Sequence, residues 1–354
     1  MVVQPSFSAT SFRLKARKEM AEAVSRNVPT EPSEATVAVI DNFEMFDQLG
    51  MTHGGKVAQV LTRGGLMSSE ILQVQAESAT QATLSVLTAE GAPSERLDAF
   101  LKGTALDFLE STQVQVEKLA QIGIKTVNHS QSLSAAKPAT FLFNLALEYG
   151  QDGTERSLTD TGRFLCRALG LPESADWDNE VALQQLLLDR TQSIYNEDKD
   201  VVAARVGFDS KLSELKVSGL AYFVAAGNDA KVLKDLQRLG LKVADSLVHG
   251  LNSVPAAVVV GAFDDKGTAD TSDDELASFS VQHPEVDFVA PGTGIDLGMG
   301  TLEAGTSFAT PMVALRYEQT RRREPSKSPE GLLGELAAGC DWPVQGSLVP
   351  VVRP

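Results

Sequence analysis

The sequence predicts an α/β fold with a mostly parallel central sheet and helices on both faces. Short apolar runs rich in valine, such as Ala35–Asp41, are typical of strands buried inside a parallel sheet. They alternate with longer stretches whose apolar residues recur at helical spacing. Asp41 ends one of the strands, and Asn228 ends a later one. Chemistry in open parallel sheets occurs at the carboxyl ends of strands, so these two side chains are candidate site residues.

The order of the elements follows from the same patterns. The stretch "HGGKVAQVLTRG" predicts a helix behind His53, and the alternating run "EILQVQA" predicts a strand. A long helix with Ser94 as its cap and Gly123 as its stop precedes the strand "IKTVNHS". Residues 135–219 have a helical, polar-rich pattern with no clear strand. The remaining predictions are two strong strands, "GLAYFVAAGN" and "PAAVVVGAF", a shorter strand, "VDFVAPG", a last helix, "SPEGLLGELAAG", and one short helix near the N-terminus, "SFRLKARKEMAEAVSRN".

Composition argues against several classes of protein. The 354 residues carry a formal net charge of −16, and an acidic protein repels phosphate backbones, so nucleic acid is not an expected partner. The longest apolar runs are about half as long as a membrane span requires, and the N-terminus lacks the pattern of a signal peptide. Two cysteines, Cys166 and Cys340, are too few for a disulfide framework or a thiolate metal site. We therefore expect a cytoplasmic protein with no membrane partner and no required cofactor.

A serine between a loop and a predicted helix raises the question of a nucleophile. Ser307 lies in "EAGTSFATPMVA", and most serines at helix starts act only as caps. A serine hydroxyl attacks at neutral pH only when a base and an orienting group are within reach. Of the four histidines, His53 is followed by two small glycines. Taken alone, each residue has an ordinary interpretation: His53 as a structural histidine, and Asp41 and Asn228 as turn or cap residues.

Four motifs in order give a much stronger signal. The stretches "VAVIDN", "THGGKVA", "FVAAGN" and "GTSFATPMVA" together resemble the signatures of the subtilisin-like serine proteases. The stretch "ASFSVQHPEVDFVAPG" is also similar to the segment that the family carries before its serine. The resemblance extends from Ala35 to about Gly339 and implies a subtilisin-like fold that acts on peptide or protein substrates.

The resemblance implies a role for each candidate residue. Ser307 would attack the scissile carbonyl, and His53 would take its proton and give it to the leaving amine. Asp41 would hold the imidazole in the right tautomer and stabilise its charged form. Asn228 would donate its side-chain amide to the developing oxyanion, alongside the backbone N–H of Ser307.

The resemblance also implies a substrate pocket. Ser130, in "VNHSQS", would form one wall of the pocket for the P1 side chain and pair with the substrate backbone. The other wall would be formed by Ala225, Ala226 and Gly227. The segment lacks the Leu-Gly that usually follows this serine in the family, so its wall is expected to be reshaped. His129, next to Ser130, is expected to be a structural or specificity residue rather than a catalytic one.

The stretch between the acid and the base departs from the family pattern. Asp41 and His53 are only 12 positions apart, which is shorter than the family commonly uses. Gly55 stands where the family has threonine, and Lys56 stands beside it. A surface loop and strand are expected to be trimmed here. The triad can survive the change, because only the strand end and the helix start must meet.

Two regions lie outside the minimal family pattern. Residues 1–34 are predicted to be an N-terminal extension, too short for an inhibitory pro-segment, and residues 35–354 to be the peptidase domain. A helical insertion at about 134–198 is either a peripheral decoration or a module that recognises a substrate or regulatory partner, or covers the cleft. Calcium often stabilises the family, but the acidic stretch Asp264–Glu275 lacks an EF-hand pattern. We expect a solvated loop there and no metal ligands.

The sequence thus favours an intracellular serine endopeptidase that forms an acyl-enzyme. A chain of this kind without a pro-segment is expected to have narrow specificity, as in the processing of one precursor peptide. Two alternatives remain open at this point. One is a peptide-binding regulatory protein on the same scaffold, and the other is a peptide ligase or macrocyclase in which an amine replaces water.

Overall fold

A central β-sheet organises the computed structural model, which describes residues 28–30, 33–48, 50–76, 85–150, 156–298, 300–340, 344, 345, 347 and 349–353. The strands of the described residues are β1 (Val37–Asp41), β2 (Ile71–Gln75), β3 (Thr126–His129), β4 (Leu147–Tyr149), β5 (Arg156–Leu158), β6 (Ala221–Ala225), β7 (Val258–Asp264), β8 (Glu275–Leu276), β9 (Val286–Pro291), β10 (Ile295–Asp296) and β11 (Leu302–Glu303). The sheet runs in the order β2-β1-β3-β6-β7-β8, and β9 also pairs with β7. Every pairing in it is parallel except that of β7 with β8.

The strand register brings the predicted site residues to one edge of the sheet. Asp41 is paired with Gln75, and Ile40 is paired with His129. His129 is in turn paired with Val224 of β6. The carboxyl ends of β1, β3 and β6 therefore meet, because parallel strands end at the same edge. All residues of these three strands are buried, which explains their continuous apolar pattern.

Helices cover both faces of the sheet. They are α1 (His53–Arg63), α2 (Pro93–Gln121), α3 (Ala136–Ala146), α4 (Asp160–Leu169), α5 (Trp177–Glu197), α6 (Lys199–Val217), α7 (Ala230–Arg238), α8 (Thr306–Arg323) and α9 (Pro329–Ala338). Short 3₁₀ helices occupy Ser68–Glu70, Ser85–Thr88 and Asp245–Val248. The sheet thus has the predicted α/β architecture of a subtilisin-like fold. None of the helices in the described ranges is long and apolar enough to cross a membrane.

Several local predictions need correction or fall outside the described ranges. Ser94 does not cap the long helix, because Pro93 takes the first helical position and Ala92 is the cap residue. The region 135–219 contains a two-stranded antiparallel hairpin of β4 and β5, which the helical pattern did not predict. The short helix predicted near the N-terminus lies outside the described residues, as does nearly all of the 1–34 extension.

The region predicted as a helical insertion packs into the main core. Its helices α3, α4 and α5 contribute Leu142, Leu165 and Leu187, which are all fully buried. These side chains belong to the same hydrophobic cluster as Ile40 and Val224 of the sheet. Burial of this kind contributes about 1.5–3 kcal/mol for each large apolar side chain. The described part of the region is therefore built into the fold, and its role in recognition stays a prediction.

Candidate active site

Asp41 and His53 meet where β1 ends and α1 begins. Thr52 caps α1, since its hydroxyl accepts a hydrogen bond from the backbone N–H of Gly55 at 3.0 Å. His53 is thereby placed at the first helical position. Its Nδ1 lies 2.7 Å from Oδ1 of Asp41. Asp41 is fully buried, whereas the His53 side chain is 40% exposed, so the acid is enclosed and the imidazole is open to a substrate.

The short connection between them folds tightly against α1. Oδ1 of Asp41 also accepts a hydrogen bond from the backbone N–H of Asn42 at 2.7 Å. The Phe43 ring lies against Gly54, where an added Cβ would come within 2.6–2.8 Å of three ring atoms. Gly54 is therefore required for the aromatic ring to close the connection. This packing closes the short connection between Asp41 and His53.

Lys56, a departure from the family pattern, links the connection to the serine side of the site. Its ammonium pairs with Asp47 at 2.7 Å and with Glu303, which is in β11. The hydrogen bonds to Asp47 and Glu303 raise the pKa of Lys56 above its usual value. The lysine therefore stays charged at neutral pH and ties α1 to the strand that leads into α8.

Ser307 is the second residue of α8 and is almost fully buried. Its hydroxyl donates to the backbone carbonyl of Ser130 at 2.9 Å, rather than to His53. The hydroxyl of Ser130 in turn donates to the backbone carbonyl of Ser307 at 2.9 Å. Pro311 explains why this carbonyl is available, because proline has no N–H to donate to the residue four positions earlier in a helix. The two serines thus form a reciprocal pair that fixes the start of α8.

Asn228 is oriented by the same helix start. Its Oδ1 accepts hydrogen bonds from the backbone N–H and the hydroxyl of Thr306, both at 2.9 Å. The amide Nδ2 is therefore the free end of an exposed side chain. Gly305 lies beside it with a φ of 152°, and a Cβ added there would be 3.3 Å from Nδ2. The glycine keeps the space beside this donor open.

A cleft of about 490 Å³ joins these groups. Three of the four predicted catalytic residues line it, namely His53, Asn228 and Ser307, while Asp41 is buried behind His53. The predicted substrate residues Ser130, Ala225 and Gly227 line it as well. Ala226 does not line the cleft: it packs in the main core, because successive residues of an extended chain face opposite sides.

Other residues of the cleft were not predicted from the sequence. Thr104 and Phe108 come from α2, and their spacing of four residues puts them on one helix face. Gln131 lines the cleft and donates to Oδ1 of Asp41 at 3.1 Å. Its position directly after Ser130 was the only available signal. The further lining residues are Asn42, Ala76, Ser132, Leu133, Lys137 and Thr306.

His129 is buried next to the site and remains neutral. Complete burial lowers its pKa to about 4. The hydroxyl of Tyr222 accepts a hydrogen bond from Asn252 at 3.3 Å and lies 2.7 Å from Nδ1 of His129. The tyrosine therefore donates to this nitrogen, which fixes the tautomer of the imidazole. These contacts are structural, and the choice between a structural and a specificity role for His129 stays a prediction.

The acidic stretch Asp264–Glu275 uses several carboxylates in local contacts. Lys266 pairs with Asp264 at 3.0 Å and with Glu275. The hydroxyl of Thr293 donates to Asp264 at 2.6 Å, and this bond contributes most to a pKa below the usual value. In the part of the chain that the structure describes, no group of three or more His, Cys, Asp or Glu side chains could hold a metal ion.

The fold and the cleft define a serine hydrolase site of the α/β class, and comparison with known proteins identifies the family. The model of the peptidase S8, or subtilase, family matches residues 144–334, which is more than half of the chain. The chain therefore belongs to the subtilase family and is a serine endopeptidase. The matched residues include Asn228 and Ser307, while Asp41 and His53 lie before them. No match is found among curated proteins.

Several solved structures are similar to this chain at low sequence identity. MycP1 from Mycobacterium smegmatis is 15% identical, with a TM-score of 0.47, covering 99% of this chain and 85% of that one. A cold-adapted subtilisin-like serine proteinase is 16% identical, with a TM-score of 0.41, covering 94% and 96%. A lanthipeptide protease is 13% identical, with a TM-score of 0.42, covering 100% and 97%. At these values the similarities carry no argument about substrate or partner.

Proposed function

We propose that this chain is a processing endopeptidase of narrow specificity, in which Ser307 is the nucleophile and His53 is the base. Asp41 orients the base, and Asn228 stabilises the oxyanion. The single observation that carries the proposal is the hydrogen bond between Asp41 and His53, which opens on the same cleft as Ser307 and Asn228. Nucleophile, base, orienting acid and oxyanion donor are the complete set that acyl transfer requires.

Substrate binding prepares the serine for attack. The Ser130 carbonyl, which now accepts from the Ser307 hydroxyl, is the group expected to pair with an N–H of the substrate backbone. A substrate N–H bound there competes with the Ser307 hydroxyl, which then turns towards His53. Enzymes often complete such hydrogen bonds only in the substrate complex.

The chemistry then proceeds in two steps. His53 takes the proton of Ser307 as the oxygen attacks the scissile carbonyl, and it later gives this proton to the leaving amine. Nδ2 of Asn228 and the backbone N–H of Ser307 bind the negative oxygen at the start of α8, where the helix dipole also favours negative charge. His53 next deprotonates a water molecule that attacks the acyl carbon. As the bond from this carbon to Oγ of Ser307 breaks, His53 returns the proton to Ser307 and the acid product leaves. Asp41 stabilises the imidazolium in both steps.

The shape of the cleft supports narrow specificity. Helix α2 contributes Thr104 and Phe108 to one side of it. A Cβ added to Gly227 would lie only 3.2 Å from the hydroxyl oxygen of Ser132, so the two walls approach each other closely. A confined cleft excludes many side chains by steric clash, which is one physical route to selectivity.

A reducing compartment such as the cytoplasm is part of the proposal. The support is that Cys166, one of the two cysteines of the sequence, is buried and forms no disulfide. Burial raises the pKa of Cys166, which keeps this thiol protonated and unreactive. Fractionation of cells followed by detection of the protein tests the location, and recovery outside the cytoplasm would count against it.

Labelling with a fluorophosphonate probe tests the proposed nucleophile. The wild-type protein is expected to be labelled, and Ser307→Ala should lose all labelling. Ser193→Ala is the matched control, because Ser193 is a partly exposed serine on α5 that bonds Glu197 and lies outside the cleft. Labelling that survives in Ser307→Ala, or is absent from the folded wild type, would reject Ser307 as an activated serine. Proteome-wide mapping of new N-termini would then test whether few sites are cut.

A further inference from the structure

Lys137 lies in the first turn of α3 and lines the same cleft as Ser307 and Asn228. Its ammonium donates a hydrogen bond to the backbone carbonyl of Ser132. Within the described ranges it forms no ion pair with a carboxylate, in contrast to Lys56, which has two. A cation that faces a cleft with only a carbonyl partner is short of counter-charge.

The carboxylate that acts on Lys137 from a distance is that of Asp229. Desolvation by the surrounding protein lowers the pKa of Lys137, although part of its side chain is exposed. Asp229 opposes this effect from beyond ion-pairing distance. Its Oδ2 accepts a hydrogen bond from Ser134 at 2.9 Å, and Asp229 does not line the cleft. A carboxylate that enters the cleft would favour the charged form of Lys137, which desolvation disfavours.

The position of Lys137 relates it to the P1 side chain. The two walls of the predicted P1 pocket approach each other at Ser132, whose hydroxyl lies 3.2 Å from the place of a Cβ on Gly227. Lys137 bonds the carbonyl of this same residue. A side chain that enters between Ser130 and Gly227 is therefore directed towards Ser132 and the ammonium that its carbonyl holds.

We propose that Lys137 makes the cleft selective for an acidic residue, glutamate or aspartate, at P1 of the substrate. The inference rests on the proposed function, because it concerns the peptide that Ser307 attacks. A substrate carboxylate supplies the counter-charge that the described residues do not provide, and it forms a charge-assisted hydrogen bond with the Lys137 ammonium. A neutral side chain of the same shape supplies no counter-charge to the ammonium and forms a weaker hydrogen bond.

Peptides that differ only at P1 test this assignment. We expect wild-type protein to cleave the Glu peptide about 10- to 100-fold faster in kcat/KM than the Gln peptide, the range for a hydrogen bond between charged groups. Lys137→Met should abolish this preference, and Lys137→Glu should reverse it in favour of a Lys peptide. Lys125→Met is the matched control: the Lys125 ammonium also bonds a carbonyl, that of Ser218, but lies outside the cleft. It should keep the wild-type preference.

Fluorophosphonate labelling of each variant separates the two possible failures. Wild-type protein that is labelled at Ser307 but does not favour the Glu peptide, including protein that cleaves none of the peptides, overturns the role of Lys137 alone. A preference that persists in labelled Lys137→Met overturns it as well. Folded wild-type protein that cannot be labelled instead rejects the proposed function, and the specificity with it.

Discussion

On one side of the cleft, Ser307 is buried and bonded to Ser130 through both its hydroxyl and its carbonyl. On the other side, the partly exposed His53 ring has one side-chain hydrogen bond among the described residues, to Asp41, and its centroid lies 5.8 Å from that of the Phe308 ring. The histidine side also has the short connection from Asp41 to His53 and the unusual residues Gly55 and Lys56. Ser307 is therefore fixed by two reciprocal hydrogen bonds with Ser130, whereas the orientation of the His53 ring depends on its hydrogen bond to Asp41.

The largest effect should follow removal of that acid. Asp41→Asn keeps the shape of the side chain but loses the charge that stabilises imidazolium and selects its tautomer. We expect kcat/KM to fall about 10⁴-fold, as at equivalent positions of serine protease triads. The measurement is kcat/KM on a peptide that the wild type cleaves.

Asp47→Asn is the control for this experiment, since Asp47 lies in the same connection but pairs with Lys56. It should change kcat/KM only a few fold. A loss for Asp41→Asn that is no greater than this would show that His53 is held in place by other contacts, and the contrast between the two sides would fail.

A smaller effect is expected on the serine side from the oxyanion donor. Asn228→Asp retains an acceptor for Thr306 but removes the Nδ2 donor and adds a charge that repels the oxyanion. Asn228→Leu removes both functions. Each should lower kcat about 10²- to 10³-fold with little change in KM, because the donor acts on charge that develops only in the transition state. A rise in KM at constant kcat would instead assign Asn228 to ground-state binding.

The reciprocal serine pair predicts a still smaller effect. Ser130→Ala leaves the Ser307 carbonyl without a donor, since Pro311 cannot supply one, and the start of α8 loosens. The substitution also removes the acceptor of the Asn128 amide, which bonds the Ser130 hydroxyl at 3.0 Å. We expect a fall in kcat of about tenfold, equivalent to roughly 1.4 kcal/mol.

Pro311→Ala provides the matched test of this mechanism. It returns an N–H to the helix at the position that can bond the Ser307 carbonyl. The double variant Ser130→Ala with Pro311→Ala should therefore recover part of the lost kcat. Strictly additive losses in the double variant would mean that the carbonyl is not the shared partner.

The sequence predicted the parts of the site that depend on local order. Strand ends and helix starts are local features, so Asp41, His53 and Asn228 could be placed from the motifs alone. Phe108 and Lys137 could not, because they enter the cleft from helices whose packing is set by contacts distant in sequence. The hairpin of β4 and β5 was also missed, since strands of three residues are too short to show an alternating pattern.

Removal of the charge of Glu318, which anchors α8, should have the smallest effect on activity and a clear effect on stability. Glu318 is buried and accepts hydrogen bonds from Arg321 and Arg322 and, at 2.8 Å, from Thr126 of β3. Burial by itself would raise the pKa of Glu318, but the bonds and charge of Arg321 outweigh it and hold the pKa below its usual value. The anchor thus joins the helix of Ser307 to the strand that leads to Ser130.

The lowered pKa of Glu318 determines how its contribution to stability changes with pH. A carboxyl group with a lower pKa in the folded state stabilises the fold above its unfolded pKa, near 4.5, and this contribution is lost as the pH falls through the folded value. Glu318→Gln should therefore lower the free energy of unfolding at pH 7 by roughly 1–3 kcal/mol. The difference in Tm between Glu318→Gln and the wild type should narrow as the pH falls below 4.5.

Glu335→Gln is the control, because Glu335 is a partly exposed partner of Lys327. It should leave Tm nearly unchanged. If the Tm difference for Glu318→Gln is the same at pH 7 and pH 4, the ionised carboxylate does not anchor α8, and the serine side is held by its short-range bonds alone.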